Sequence, residues 1–96
     1  MVLLRFKPSA TKESIGRLFA ALQDLKKTIA GMDYYAAGPY ASSEGLNQGF
    51  SHGFLMTFAD AAARDTYLVH PAHERVKDEF LPLVENVVAF DFAENQ

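Results

Sequence analysis

The apolar residues of this chain change their spacing in an order that few folds can use. Val2, Leu4 and Phe6 alternate with Leu3 and Arg5, the two-residue period of a strand, and Pro8 ends the run. Steps of three and four follow. Ile15, Leu18, Phe19, Leu22, Leu25 and Ile29 mark one stripe of a helix, which Ser9 or Thr11 can cap and Gly31 can stop. Two further strands are predicted over 33–40 and 51–58, the second placing His52, Phe54, Met56 and Phe58 on one face. The Ser, Gly and Asn residues of 41–50 make the connection between them a loop. Asp60 can cap a helix that ends near Val69. Pro71 lacks an N–H and has a fixed φ, so it opens another helix, which runs to about Phe80 before Pro82 disturbs it. A valine- and phenylalanine-rich strand over 85–92 closes the chain. The order is β-α-β-β-α-β with a broken second helix. It predicts an α+β, ferredoxin-like subunit, a four-stranded antiparallel sheet with its helices on a single face.

Helices on one face leave the other face in need of cover. Leu3, Leu55 and one parity of the last strand, either Val88 with Phe90 and Phe92 or Val87 with Ala89, point that way. An apolar patch of that extent marks an interface. Two such sheets packed together would bury it, so the expected partner is a second copy of the chain. The length of 96 residues predicts a single domain over 1–96. A chain this small buries only about two-thirds of its unfolded surface, which adds to the value of a partner. Gly16 costs roughly 1 kcal/mol relative to alanine inside a helix, which predicts close packing at that point.

Charge and composition exclude several functions. The formal net charge is −3 and no basic cluster is denser than Lys26-Lys27, so no nucleic-acid partner is expected. The absence of cysteine removes disulfides, thiolate metal sites and a cysteine nucleophile. Val2 to Lys7 is too short and too charged for a signal peptide or a membrane span, so a cytoplasmic location without a membrane partner is the expectation. Gly45 and Gly49 are not followed by Lys-Ser/Thr and open no helix, so no nucleotide or flavin cofactor is expected.

The chemistry concentrates in Tyr67-Leu68-Val69-His70-Pro71-Ala72-His73. His73 lies one turn before Val76 and two before Phe80, on the inward stripe of its helix. An inward histidine beside a helix junction is a candidate acid–base group, although a core histidine with a hydrogen-bond partner is the commoner case. His70, directly before Pro71, is read as shaping or capping the junction. Spacing of three lets two histidines of one helix share a metal, but His70 falls at the helix boundary and no third ligand follows, so no metal is expected.

Three segments resemble the stress-responsive dimeric A/B-barrel domain (Dabb) family. They are Val2-Leu3-Leu4-Arg5-Phe6-Lys7, then the loop Glu44-Gly45-Leu46-Asn47-Gln48-Gly49-Phe50-Ser51 leading into His52, and Tyr67 to His73 followed by Val87-Val88-Ala89-Phe90-Asp91-Phe92. The resemblance covers essentially the whole chain, and its His-Pro-x-His element is the most specific part. It implies a ferredoxin-like subunit that dimerises through its sheet into a barrel. Some members close polyketide rings by aldol condensation, and others are stress proteins. By that resemblance His73 matches a catalytic histidine, Tyr67 its partner tyrosine, and His52 a further pocket histidine. Leu22 stands where the ring-closing members carry a tyrosine, and another of their histidines would precede Met1. A neutral imidazole serves as a base near pH 7 and a tyrosine hydroxyl stabilises a developing enolate. The expected function is acid–base chemistry of the cyclase, lyase or isomerase kind on a small hydrophobic carbonyl compound, with His73, Tyr67 and His52 converging on it. The alternatives are a non-catalytic ligand-binding or stress-protective dimer and, less favoured, a cofactor-free monooxygenase.

Overall fold

Each change of period becomes an element boundary. The computed structural model describes residues 1–94. Strand β1 spans Val2–Phe6, helix α1 Lys12–Thr28, strands β2 and β3 Met32–Pro39 and His52–Phe58, and helices α2 and α3 Ala61–Leu68 and Pro71–Phe80. A 3₁₀ turn at Leu81–Leu83 leads into strand β4, Val84–Ala89.

Thr11, not Ser9, starts α1. Its hydroxyl accepts the Ser14 N–H at 3.0 Å, while the Ser14 hydroxyl accepts the Thr11 N–H at 2.8 Å, a reciprocal cap that satisfies a buried serine. Replacing Thr11 by alanine removes one acceptor at a helix end. The expected cost is about 1 kcal/mol, read as a fall of about 4–8 °C in melting temperature. Gly31 follows the helix at φ +93°, and a Cβ there would lie 2.7 Å from the Ala63 Cβ, so glycine lets α2 dock closely. Gly16 is different. A Cβ on it meets nothing within 4 Å, so the close packing predicted there is absent and open space lies beside the helix instead.

The sheet order is β2-β3-β1-β4, with every neighbouring pair antiparallel. β3 therefore sits between β1 and β2, the two strands that α1 joins, which is the ferredoxin-like arrangement. Register settles the two faces. Leu4 pairs with His52 and Val87, and these turn toward the helices with Val2, Phe6, Phe54, Met56 and Phe58. Leu3 pairs with Val88 and Ala36 with Leu55, so these four share the open face with Tyr34. Leu18, Leu22 and Leu25 of α1, with Ile29 at its C-cap, meet Leu4, Met32, Tyr67, Ala72 and Phe80 in the core. The last strand stops at Ala89, three residues before the predicted end. A backbone hydrogen bond from the Phe90 N–H to the Met1 carbonyl extends the ladder by one step. Among the described residues no helix is long and apolar enough to cross a membrane.

Candidate acid–base site

The junction between α2 and α3 builds the site. Asp60 caps α2 by accepting the Ala63 N–H at 2.8 Å. Val69 leaves the helix, and Pro71 starts α3 with His70 as its cap. The His70 Nδ1 accepts the Ala72 N–H at 3.0 Å, so this histidine serves the backbone of the turn. Turning the chain at this point lays the last turn of α2 against the first turn of α3. Tyr67 and His73 thereby meet with ring centroids 4.2 Å apart and planes 35° apart. Phe58, at the end of β3, backs Tyr67 at 5.1 Å.

Local hydrogen bonding fixes the histidine. The His73 Nδ1 lies 3.2 Å from the Leu68 carbonyl oxygen. A carbonyl only accepts, so Nδ1 carries the proton and the Nε2 lone pair is the basic one. Burial lowers the His73 pKa below 6.5, opposed by the Leu68 bond, aided by Lys77 and again opposed by Glu74. Burial also pushes the Tyr67 hydroxyl above its ordinary range, and the neighbouring Tyr35 and Asp91 push the same way. At neutral pH the pair is thus a neutral base beside a neutral phenol.

Two groups here have little signal in the sequence. Asp91 stands close enough to Tyr67 to disfavour its ionisation, and its carboxylate lies 4.0 Å from the Arg64 guanidinium. Its one signal is the alternation Phe90-Asp91-Phe92, which turns the acid toward the helices once Val88 faces outward. Tyr35 is the other. It enters from β2, donates its hydroxyl to the Phe19 carbonyl at 3.1 Å, and is pushed by burial to about 12. Leu22 on α1 is core at 4% exposure.

His52 does not join Tyr67 and His73. It has the inward parity expected of it, but it begins the strand that Phe58 ends, about 20 Å away along an extended chain. There its ring stacks on Phe19 at 5.7 Å and meets the edge of Phe6 at 5.3 Å. The Ser51 hydroxyl lies 2.8 Å from its Nδ1, and burial lowers its pKa. Two clefts open at this end, and neither is lined by Tyr67 or His73. One of about 390 Å³ lies between α1 and the sheet, bordered by Phe19, Pro39 and His52. The other, about 240 Å³, lies beneath the 40–51 loop beside Leu3 and Gly53.

The lowered histidine values set a pH dependence. Both imidazoles bind protons less readily in the fold than in the unfolded chain, so their contribution is complete above about pH 6.5 and is lost as pH falls through and below that value. Urea midpoints are therefore expected to drop between about pH 7.5 and about pH 5. The drop shrinks in a protein with asparagine at both positions.

The sequence matches the profile of the stress responsive A/B barrel domain, Dabb, over residues 1–94. The chain belongs to this family. It is 32% identical over 92 residues to the stress-response A/B barrel domain-containing protein HS1 of Arabidopsis thaliana, an alignment spanning 96% of this chain and 84% of that protein. It is 24% identical over 92 residues to olivetolic acid cyclase of Cannabis sativa, spanning 96% and 91% respectively. A solved dimeric ferredoxin-like protein of unknown function from Jannaschia sp. CCS1 superposes with a TM-score of 0.86 at 28% identity, covering 97% of this chain and 94% of that one. In this Dabb chain the His-Pro-x-His element works through its turn: His70 and Pro71 set the angle, and His73 supplies the free nitrogen.

Proposed function

We propose that this Dabb chain is a homodimer, paired through its open sheet faces, in which Tyr67 and His73 perform acid–base chemistry on a small hydrophobic carbonyl compound. The His73 Nε2 takes a proton from the carbon next to the carbonyl, and the Tyr67 hydroxyl donates a hydrogen bond to the oxygen as charge develops there. The observation that carries this reading is the His73 tautomer held by Leu68 with Tyr67 at 4.2 Å. The relation to a cyclase supports the chemistry, and the dimeric relative supports the assembly. This reading assigns the proton transfer to His73 and leaves His52, which begins β3 and stacks on Phe19, outside it. The test is hydrogen–deuterium exchange next to the carbonyl of alkyl methyl ketones, followed by NMR, in wild-type and His73→Ala protein. Equal rates in the two proteins would remove the base.

A second reading, a non-catalytic ligand-binding dimer, is favoured by one observation: both clefts open at the His52 end. Saturable binding of a ketone without exchange would decide for it.

A further inference from the structure

The acid–base pair and the larger cleft occupy the same layer between helices and sheet, yet they do not join. On β2 the border of the cleft is Ala37, Gly38 and Pro39, and it ends there. The next inward residue of that strand toward the pair is Tyr35, opposite Met56. Beyond it Met32 pairs with Phe58, the residue that backs Tyr67. Tyr35 therefore stands between the two.

Its side chain is held at both ends. The ring lies 6.4 Å from that of Phe54 on the sheet, and the hydroxyl crosses to α1, where it donates to the Phe19 carbonyl at 3.1 Å. Phe19 is itself a wall of the cleft, so the phenol bridges sheet and helix at the cleft's inner end. Burial pushes the hydroxyl up to about 12, so it remains a donor across the neutral range and ionisation does not release it. Toward the other side Tyr35 is near enough to Tyr67 to disfavour its ionisation. The adjacent inward position, Ala37, carries only a methyl group, so the bulk of β2 at this level comes from Tyr35.

We infer that Tyr35 limits substrate size at the Tyr67–His73 pair, admitting a short-chain carbonyl compound and excluding one whose tail must cross into the cleft. The inference rests on the acid–base reading for its reaction, while the barrier itself is open to test by binding alone. Truncating the residue to valine removes the ring and keeps strand propensity, and phenylalanine keeps the ring and removes only the bond to Phe19.

The experiment compares 2-butanone with 2-nonanone, ketones of similar acidity beside the carbonyl, in the full chain. Wild-type protein is expected to exchange 2-butanone faster, and Tyr35→Val to shift the ratio of kcat/KM values toward 2-nonanone by about tenfold or more, the scale on which a pocket discriminates even one methylene. Tyr35→Phe is expected to keep the wild-type preference. In the binding arm, 2-nonanone is titrated into ¹⁵N-labelled protein. Saturable shifts at the amides of Tyr67 and His73 are expected in Tyr35→Val and not in the wild type. Such shifts in the wild type would overturn the inference without recourse to any variant, as would an unchanged ratio in Tyr35→Val protein that keeps the wild-type amide pattern. Failure of the wild type to exchange either ketone would sink the acid–base reading instead, and the binding arm would still decide whether Tyr35 is the barrier.

Discussion

Leu55→Asp protein is expected to sediment as a monomer where the wild-type chain sediments as a dimer. Leu3, Leu55, Val88, Tyr34 and Phe90 are 37–60% exposed in the single subunit, although all but Phe90 lie within the strands of one sheet. Packing two such faces together removes this apolar surface from water, the main source of association energy. Leu55 belongs to β3, an inner strand, so a charge there falls within the contact rather than at its rim. An unpaired carboxylate buried in an apolar interface costs several kcal/mol, and symmetry places it in both copies. A dimer with a dissociation constant of about 1 μM is held by only about 8 kcal/mol, so it does not survive that loss at micromolar concentration. The subunit fold tolerates the change, since in the monomer the aspartate faces water. Its thermal stability falls only by the part that dimerisation supplied, and the wild-type melting temperature rises with protein concentration. Lys26→Asp, on the exposed end of α1, is the matched control and stays dimeric. A Leu55→Asp dimer as stable as wild type would show that the subunits pair by another surface.

The elements are legible because each is written in a local period or a local stop. Pro71 divides α2 from α3 with no need of tertiary information, and the stripe from Leu18 to Ile29 marks the buried side of α1. The end of β4 is not legible in this way. Phe90 and Phe92 have strand propensity, but the pairing of β4 with β1 runs from Val84 to Ala89, with one further backbone hydrogen bond from the Phe90 N–H to the Met1 carbonyl, and propensity alone does not say where pairing stops. Register across strands decides between Val87 and Val88 for the open face, and a single strand does not contain its own register. Val87 turns toward the helix side yet remains 46% exposed, because β4 is an edge strand.

The site is legible to the same degree. Tyr67 and His73 lie on either side of a proline in one short segment, so local geometry unites them. Alternation assigns His52 its face but not its distance from Tyr67 and His73, and its grouping with them comes from the family resemblance rather than from the pattern of the strand. Asp91 and Tyr35 reach the site from elements distant in sequence, and only the sheet topology brings them to it.

His73→Ala is expected to slow exchange next to the ketone carbonyl by about 10²–10⁴-fold, the usual contribution of a positioned general base. Tyr67→Phe keeps the ring against Phe58 and removes only the donor, so a loss of about 10²-fold is expected from the missing oxyanion contact. The two losses should not multiply in the double variant, since the phenol stabilises charge only when the base creates it. The pH profile carries an independent signature. The base works in its neutral form, and burial lowers the His73 pKa below 6.5, so the wild-type rate rises with pH with its midpoint below that of a solvated imidazole. Imidazole added to His73→Ala protein should restore part of the rate if the space vacated by the ring admits it. Exchange that survives in His73→Ala, or a profile that tracks an ordinary solvated imidazole, would place the chemistry elsewhere and leave Tyr67 and His73 as a packing pair that holds α3 against α2.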